Sequence, residues 1–284
     1  EYALMLALRK GFADRVNLNI LLRQEWVDGE RTPFIPYLGV DLRLIRGRDL
    51  LLKGNIARNY HAPSLNDLYW QPGGNPELLP EEGFTLEGGI AFQEEFSSHL
   101  LKTELSLYRS QIDNWIIWLP SYKGYWEPRN IRSVLSRGME YSVHLQGVFS
   151  EFNYQISAVY AYTSAINQGD PLIWSYESHG KQLVYIPLHS GNMMLYLGWG
   201  AFFLNYQFNA YSERYTTSSN DVSRRDRLYP YYMSDISAGS NFSVKGVDLS
   251  LEFKVYNLLN ESYHTILYRP MPGRNYQLIV KILI

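Results

Sequence analysis

The sequence has no cysteine among its 284 residues and no run of about 18 consecutive apolar residues. Without cysteine there is neither a disulfide framework nor a thiolate metal site. Without a long apolar run there is no membrane-spanning helix. The sequence also lacks a large net charge, because its 26 Lys and Arg nearly balance its 28 Asp and Glu. No broad basic field favours nucleic acid, which is therefore excluded as a predicted partner.

Catalytic motifs are also missing. The six histidines are scattered, and no HExxH, GxSxG, GxGxxG or phosphate-loop pattern occurs. We therefore predict no enzymatic activity, no catalytic residue and no cofactor. Neighbouring Asn and Asp at 66–67 and 220–221 could offer oxygen ligands to calcium, but such residues more often solvate loops, so no metal site is predicted.

Tyrosine is abundant, with 24 copies, and polar residues alternate with apolar ones in segment after segment. In 247–256 the residues VDLSLEFKVY place Val, Leu, Leu, Phe and Val on one face, with Asp, Ser, Glu and Lys on the other. The same alternation recurs at 16–23, 202–209 and 276–284. A period of two indicates strands with two different faces.

These segments predict an all-β chain of about thirteen antiparallel strands. Many exceed ten residues, which is long for a soluble sheet and sufficient for a tilted strand to cross a bilayer. A large soluble β-sandwich or propeller is the alternative; the long strands disfavour it, and no fixed repeat supports a propeller. The predicted strands lie near 2–10, 14–27, 33–46, 50–60, 83–94, 97–118, 132–148, 152–164, 190–198, 201–214, 230–244, 247–258 and 274–284.

The predicted connections alternate between short and long. Bacterial outer-membrane barrels have short periplasmic turns and long extracellular loops, so this alternation predicts which end of the barrel faces outward. An odd number of strands also indicates that the chain is one part of a longer barrel. The short connections are 10–13, 46–49, 94–97, 148–151, 198–201 and 244–247, and the long ones are 28–32, 60–82, 119–131, 165–189, 215–229 and 258–273.

Aromatic residues gather near the predicted strand ends. Amphipathic rings favour the headgroup level of a bilayer, where one edge is wet and the other apolar. Their distribution as a set predicts an aromatic girdle, although any single ring could serve cross-strand packing. The residues are Trp26, Tyr37, Tyr69, Trp70, Trp115, Trp118, Tyr160, Tyr162, Trp199, Tyr211, Tyr229, Tyr231 and Tyr232.

Two stretches resemble motifs of the TonB-dependent outer-membrane receptors. Residues 58–82 read RNYHAPSLNDLYWQPGGNPELLPEE, and residues 256–284 read YNLLNESYHTILYRPMPGRNYQLIVKILI. The DLYWQPGGNPEL part is most similar to the cobalamin-receptor branch of that family. The motif residues, which we expect to be structural, are Arg58, Pro63, Gly74, Asn75, Pro76, Pro80, Glu81, Asn257, Asn260, Pro272, Gly273, Arg274, Asn275 and Tyr276.

The resemblance implies a 22-stranded transmembrane β-barrel, closed by an N-terminal plug, in the outer membrane of a Gram-negative bacterium. Residues 1–284 would be its C-terminal portion, with the plug and the first strands outside this chain. It further implies active import of a scarce nutrient. Cobalamin or a related corrinoid is favoured, and a siderophore or haem is the alternative. The implied partners are outer-membrane lipid and the TonB energy-transducing complex, reached through the missing N-terminal region, with a surface-exposed lipoprotein as a further candidate.

Aromatic residues in the long connections are the candidate ligand contacts. Their flat faces bury much area at low entropic cost, while nearby polar groups fix orientation. A passive porin, a barrel enzyme and a barrel that holds a lipoprotein remain as alternatives. The candidate ligand-binding residues are Tyr69, Trp70, Trp118, Tyr122, Tyr125, Trp126, Arg129, Trp174 and Tyr176.

Overall fold

Thirteen long strands form one antiparallel sheet in the computed structural model, which describes residues 2–13, 15–27, 29–169, 178–223 and 227–283. Each strand pairs with the next along the chain, so the order in the sheet is the order in the sequence. The strands are β1 (Tyr2–Phe12), β2 (Val16–Val27), β3 (Ile35–Arg43), β4 (Asp49–His61), β5 (Glu81–Phe96), β6 (His99–Pro120), β7 (Trp126–Phe149), β8 (Phe152–Asn167), β9 (His189–Trp199), β10 (Phe202–Tyr211), β11 (Tyr231–Val244), β12 (Val247–Tyr256) and β13 (Asn275–Leu283).

The prediction of an all-β chain with about thirteen strands is confirmed, since each alternating segment forms one strand of this sheet. The sheet is open in the described residues, because β1 pairs only with β2 and β13 only with β12. Both edge strands are exposed. No helix among the described residues is long and apolar enough to cross a membrane.

The hairpin of β6 and β7 is longer than the sequence predicts. A loop over 119–131 was expected, but pairing continues as far as Pro120 opposite Trp126 and leaves only residues 121–125 as a turn. The expectation was wrong because distant contacts stabilise the hairpin. Ile117 and Ile131 belong to an apolar cluster with Leu183, which lies in the next long connection.

One short helix and five short strands lie in the connections. Helix α1 (Leu65–Tyr69) is missing from the predicted elements, although a capping box marks its start. Ser64 Oγ accepts from Asp67 N (3.2 Å), and Ser64 N donates to Asp67 Oδ2 (2.9 Å). The short strands are Glu30–Arg31, Arg214–Tyr215, Arg227–Leu228, His264–Ile266 and Arg269–Pro270.

The two faces of the sheet differ in polarity. Because polar positions of one strand pair with polar positions of the next, each face keeps its character across the sheet. On one face, Lys53 of β4 forms an ion pair with Glu104 of β6 across β5 (Nζ–Oε1 2.5 Å), and Asn55 Nδ2 donates to Glu87 Oε2 (3.1 Å). The other face is apolar and exposed, and it includes Leu38, Val40, Leu52, Ile56, Leu86, Ile90, Leu107, Tyr141, Leu197, Leu251 and Phe253.

The polar face is the concave one. A single cleft on it is lined by side chains from five successive strands, β8 to β12, namely Ser157, Tyr196, Gln207, Asp235 and Glu252. Only a surface that curves towards these side chains brings five strands around one cleft. The apolar side chains therefore lie on the convex face, where they do not meet in a buried core. A soluble sandwich, which would bury its apolar faces against each other, is excluded.

Candidate ligand-binding loops

All long connections leave the sheet at the same end. They are residues 28–34, 62–80, 168–188, 212–230 and 257–274, and the five-residue turn 121–125 of the extended β6–β7 hairpin lies at the same end. The opposite end has only turns of two to five residues between strands. We call the end of the sheet with the long connections the elaborated end, and the end with the short turns the plain end. The candidate ligand-binding residues Tyr69, Trp70, Tyr122 and Trp126 lie at or next to the elaborated end.

The segment 62–80 reverses direction at two glycines. Gly74 N donates to Trp70 O (2.7 Å), and a Cβ on Gly74 would lie 2.6 Å from Trp70 N, so a side chain does not fit. Asn75 N then donates to Asp67 O (2.8 Å), which closes the loop back onto α1. The GGNP stretch thus makes a compact loop with its own hydrogen bonds.

This loop is fixed to the β6–β7 hairpin by side-chain hydrogen bonds. Trp118 Nε1 donates to Asp67 Oδ1 (2.8 Å). Asn130 Oδ1 accepts from Leu79 N (2.9 Å), and Asn130 Nδ2 donates to Leu79 O (3.0 Å). At Gly73, whose φ is +123°, an added Cβ would overlap a backbone oxygen of the hairpin. Loop and hairpin therefore form one packed unit.

Charges in this unit are neutralised locally. Burial opposes ionisation of Asp67, but hydrogen bonds from Ser64 and the Trp118 indole outweigh it and lower the pKa of Asp67 below its usual value. Glu127 accepts from Lys123 Nζ (2.8 Å) and lies 3.4 Å from Arg129 Nη2. The tip of the hairpin consequently presents paired charges beside its rings.

Four of the candidate aromatic residues are exposed on the loop 62–80 and at the end of the hairpin, and we call them the aromatic platform: Tyr69, Trp70, Tyr122 and Trp126. Tyr122 is 92% exposed, and the Trp126 ring lies 6.1 Å from the Tyr185 ring. The remaining candidates differ. Trp118 is engaged by Asp67, Tyr125 faces Gly73, Arg129 is exposed beside Glu127, and Trp174 and Tyr176 lie outside the described residues.

The other motif residues of 58–82 connect strands near the rim. Arg58 Nη2 lies 3.0 Å from Glu82 Oε2, and the Arg58 guanidinium carbon lies 5.9 Å from the centre of the Phe84 ring. Glu81 Oε1 accepts from the backbone N–H of a residue on β6 (2.6 Å), and Pro80 O accepts from an asparagine side chain of β6 (3.3 Å). Pro63 and Pro76 flank the loop, the first next to the cap of α1 and the second after Asn75.

The NLLN and PGRNY motifs meet in one turn around Asn257, which is 1% exposed and has φ +51°. Its Oδ1 accepts from Glu261 N (2.7 Å), and its Nδ2 donates to Glu261 O (2.8 Å) and Pro272 O (3.4 Å). Asn260 Oδ1 accepts from Arg274 N (2.9 Å), and a Cβ on Gly273 would lie 3.0 Å from that same oxygen.

The end of the second motif enters β13. Asn275 begins the strand, and its Nδ2 donates to Gly273 O (3.2 Å). Tyr276 stacks on Phe253 of β12 on the convex face, with ring centres 6.1 Å apart. These residues start the closing strand and do not reach the aromatic platform.

A second cluster, centred on Arg214, has no counterpart among the predicted sites. Arg214 is buried, its Nη2 donates to His264 O (2.9 Å), and its guanidinium carbon lies 5.0 Å from the Tyr231 ring centre. Tyr231 in turn contacts the rings of Tyr211 and Tyr263 at 5.1 and 4.9 Å. The cluster joins two long connections, and no sequence pattern singles out Arg214.

Within the described ranges, no three side chains of His, Asp or Glu gather as metal ligands. The described residues of the elaborated end present aromatic rings, amide groups and paired charges. The fold and this end together define the wall of a receptor barrel.

The model of the TonB dependent receptor-like β-barrel family matches residues 1–258. The chain belongs to this family, and the resemblance stated from its motifs is confirmed.

Two relatives are transporters. The vitamin B12 transporter BtuB of Photobacterium profundum is 27% identical over 232 residues, which are 76% of this chain and 34% of that protein. The vitamin B12 transporter BtuB of Vibrio vulnificus is 38% identical over 82 residues, which are 28% of this chain and 13% of that protein. The chain thus spans about a third of the length of the first of these relatives.

Solved structures share the fold. The copper transporter OprC superposes with a TM-score of 0.72 at 14% identity and covers 98% of this chain and 47% of its own. The ferric enterobactin receptor PfeA of Pseudomonas aeruginosa superposes with a TM-score of 0.71 at 20% identity, covering 99% and 44%. At such identities the likeness concerns the barrel wall and not the ligand.

Proposed function

We propose that residues 1–284 form the C-terminal part of a plugged outer-membrane barrel that imports cobalamin or a related corrinoid in a Gram-negative bacterium. The long connections bind the ligand outside the cell. The TonB complex, acting through the N-terminal region outside this chain, supplies the energy that moves the plug. The protein performs no covalent chemistry in this proposal.

The BtuB relatives are the observation that supports the corrinoid. The 27% identity to the Photobacterium profundum transporter extends over 76% of this chain, so the similarity is not confined to one motif. The aromatic platform suits such a ligand, because a corrinoid is large, flat on its faces and edged by amides. Rings bury the flat faces, and amide groups at the rim can exchange hydrogen bonds with the edges.

The local charge favours a corrinoid over a ferric siderophore. The loop 62–80 and the hairpin residues 114–131 contain two basic side chains, Lys123 and Arg129, and three acidic ones, Asp67, Glu77 and Glu127. Both basic groups pair with Glu127. An anionic ferric catecholate complex requires unpaired cations for recognition, and this surface offers a slightly acidic, aromatic one.

The convex and concave faces suit the other proposed partners. The convex side chains are apolar and exposed, as contact with outer-membrane lipid requires. The concave face contains charged and amide groups, such as Lys53, Glu104 and Asn55, that suit contact with water and a plug. A surface lipoprotein would have to bind at the elaborated end, in competition with the ligand or above it.

Titration of the full-length protein with cyanocobalamin, haem and a ferric catecholate siderophore tests the proposal. We expect a Kd for cyanocobalamin at or below about 1 μM, and weaker binding of the other two. Replacing Trp70 or Trp126 with alanine should weaken cyanocobalamin binding by about tenfold, because a central aromatic contact contributes ~1–2 kcal/mol or more.

Phe149→Ala is the control, since Phe149 is also an exposed aromatic residue but lies at the plain end of the barrel. Its affinity for cyanocobalamin should equal that of the wild type. Preferential binding of the siderophore, or no corrinoid binding at micromolar concentrations, contradicts the proposal. Ion conductance through reconstituted full-length protein without an energised partner would favour a passive porin instead.

A further inference from the structure

Two arginines face each other directly on the convex face. Arg109 of β6 and Arg137 of β7 are register partners, both are exposed, and neither forms an ion pair or side-chain hydrogen bond with any described residue. Cross-strand partners lie about 4.5–5.5 Å apart at Cβ, where like charges repel each other. An anion placed between them would remove this repulsion.

The acidic residues of the same face do not serve as that anion. Glu82, next to this region on β5, is already paired with Arg58 at 3.0 Å. Asp113, four residues beyond Arg109 on the same strand, makes no ion pair with the described residues. Gln111 lies between Asp113 and Arg109 on the same strand and is exposed. Its side-chain amide offers a further hydrogen-bond donor to an anion beside the two guanidinium groups.

The position of the pair along the strands indicates where in a membrane it lies. Below it, on the same face, come Leu107 opposite its β7 partner Met139, and then Leu105 opposite Tyr141. Arg109 is ten residues beyond His99, where β6 starts after a short turn. Ten residues at ~3.3 Å each and a tilt of ~40° rise about 25 Å, which is the height of the apolar band of such barrels.

The pair therefore lies at the upper boundary of the apolar band, on the side of the long connections. Tyr141 and Tyr160 are register partners on the same face, just below the pair, and both are exposed, as expected near a headgroup level. Tyr160 Oη is also 2.8 Å from His189 Nδ1. A group that reaches the arginines from this level is a lipid headgroup of the outer leaflet.

We propose that Arg109 and Arg137 bind the phosphate group of an outer-leaflet lipid and fix that lipid to the barrel wall. The inference rests on the proposed outer-membrane location and not on the identity of the nutrient. Guanidinium groups match phosphate oxygens in geometry and form charge-assisted hydrogen bonds with them. Two guanidinium groups on adjacent strands can clamp one phosphate while the acyl chains cover Leu107 and its neighbours.

The test is a titration of detergent-purified full-length protein with diphosphoryl lipid A, with bound lipid measured by native mass spectrometry. The Arg109→Gln/Arg137→Gln variant should bind the lipid about tenfold more weakly than the wild type. The Arg109→Lys/Arg137→Lys variant, which keeps the charge and loses the planar fork, should fall in between. Arg46→Gln/Arg48→Gln, which removes two exposed arginines from a turn at the opposite end, should bind like the wild type.

Equal lipid binding by the glutamine variant and the wild type overturns the proposal, and so does an equal loss in the Arg46/Arg48 control. If 10 mM inorganic phosphate abolishes the difference between the variants, the pair is a site for free anions and the lipid proposal fails. Cyanocobalamin affinity, measured on the same preparations, should be unchanged in all three variants. A protein that binds no corrinoid can still pass or fail the lipid test, so the two proposals fail separately.

Discussion

The side-chain amide of Asn130 pairs with the backbone of Leu79 as a strand would. Its Oδ1 accepts from Leu79 N (2.9 Å), and its Nδ2 donates to Leu79 O (3.0 Å) and to Asn114 O (2.6 Å). Asn220 makes the same reciprocal pair with the backbone of Gln182, at 2.8 Å in both directions. In this way, a side chain of β7 fixes the loop 62–80, and a side chain of one long connection fixes another.

Replacing Asn130 with alanine should loosen the loop 62–80 while leaving the barrel folded. Three hydrogen bonds are lost, and two backbone groups of Leu79 lose their partner, a local cost of about 1–3 kcal/mol. We expect faster protease cleavage within 62–80 and weaker ligand binding, because the aromatic platform spans this loop and the hairpin. Limited proteolysis with mass spectrometry of the fragments measures the first effect.

Asn66→Ala is the control for this change, since the Asn66 side chain is exposed in the same loop and makes no hydrogen bond with the described residues. It should be cleaved at the wild-type rate. Cleavage of Asn130→Ala at that same rate would mean that other contacts, such as Trp118 with Asp67, suffice to hold the loop.

A second prediction concerns acid. The pKa of Asp67 is lowered in the folded protein from an ordinary value of 3.8, since hydrogen bonds from Ser64 and Trp118 outweigh the effect of burial. A group with a lowered pKa stabilises the fold above its unfolded value, and this contribution is lost as the pH falls through the folded value. The bond between Asp67 and Trp118 should therefore hold at neutral pH and weaken only below about pH 4.

Tryptophan fluorescence of the full-length protein follows this transition, since the Trp118 indole would lose its carboxylate acceptor. Asp67→Asn removes the titrating group and should remove the part of the fluorescence change that occurs below pH 4. Trp118→Phe should remove the same part, because the reporter is gone. An identical acid transition in all three proteins assigns the change to other residues.

The strands were predictable and the contacts between loops were not. Alternation in segments such as 247–256 depends only on local sequence, and it predicts β12 and the other strands of the sheet. Asn130 has partners about 51 positions away, and no local pattern marks it. The predicted loop over 119–131 was wrong for the same reason, because Ile131 is buried by Leu183 of a later connection. Helix α1 could have been predicted, since Ser64 and Asp67 form a recognisable capping box.

A third prediction concerns Asn257, which combines a left-handed backbone with buried hydrogen bonds to Glu261 and Pro272. Asn257→Ala should destabilise the barrel by about 2–4 kcal/mol, since it loses the bonds and retains a Cβ where φ is positive. Asn257→Gly loses the same bonds without backbone strain and should be destabilised less. Heat-modifiable migration on gels gives the unfolding temperature of each variant, and an order of wild type, glycine, alanine is expected.

A last prediction concerns the close approach of neighbouring strands. A Cβ on Gly83 would overlap the backbone oxygen of Gln111, whereas a Cβ on Gly54 would meet only an ordinary contact at 3.9 Å. Gly83→Ala must therefore separate β5 from β6, at a cost of about 1–3 kcal/mol, but Gly54→Ala should be nearly neutral. Both substitutions add one methyl group in a central strand, on the concave face at Gly83 and on the convex face at Gly54. An equal fall in unfolding temperature for the two variants would show that strand propensity, and not the approach of Gln111, decides the outcome.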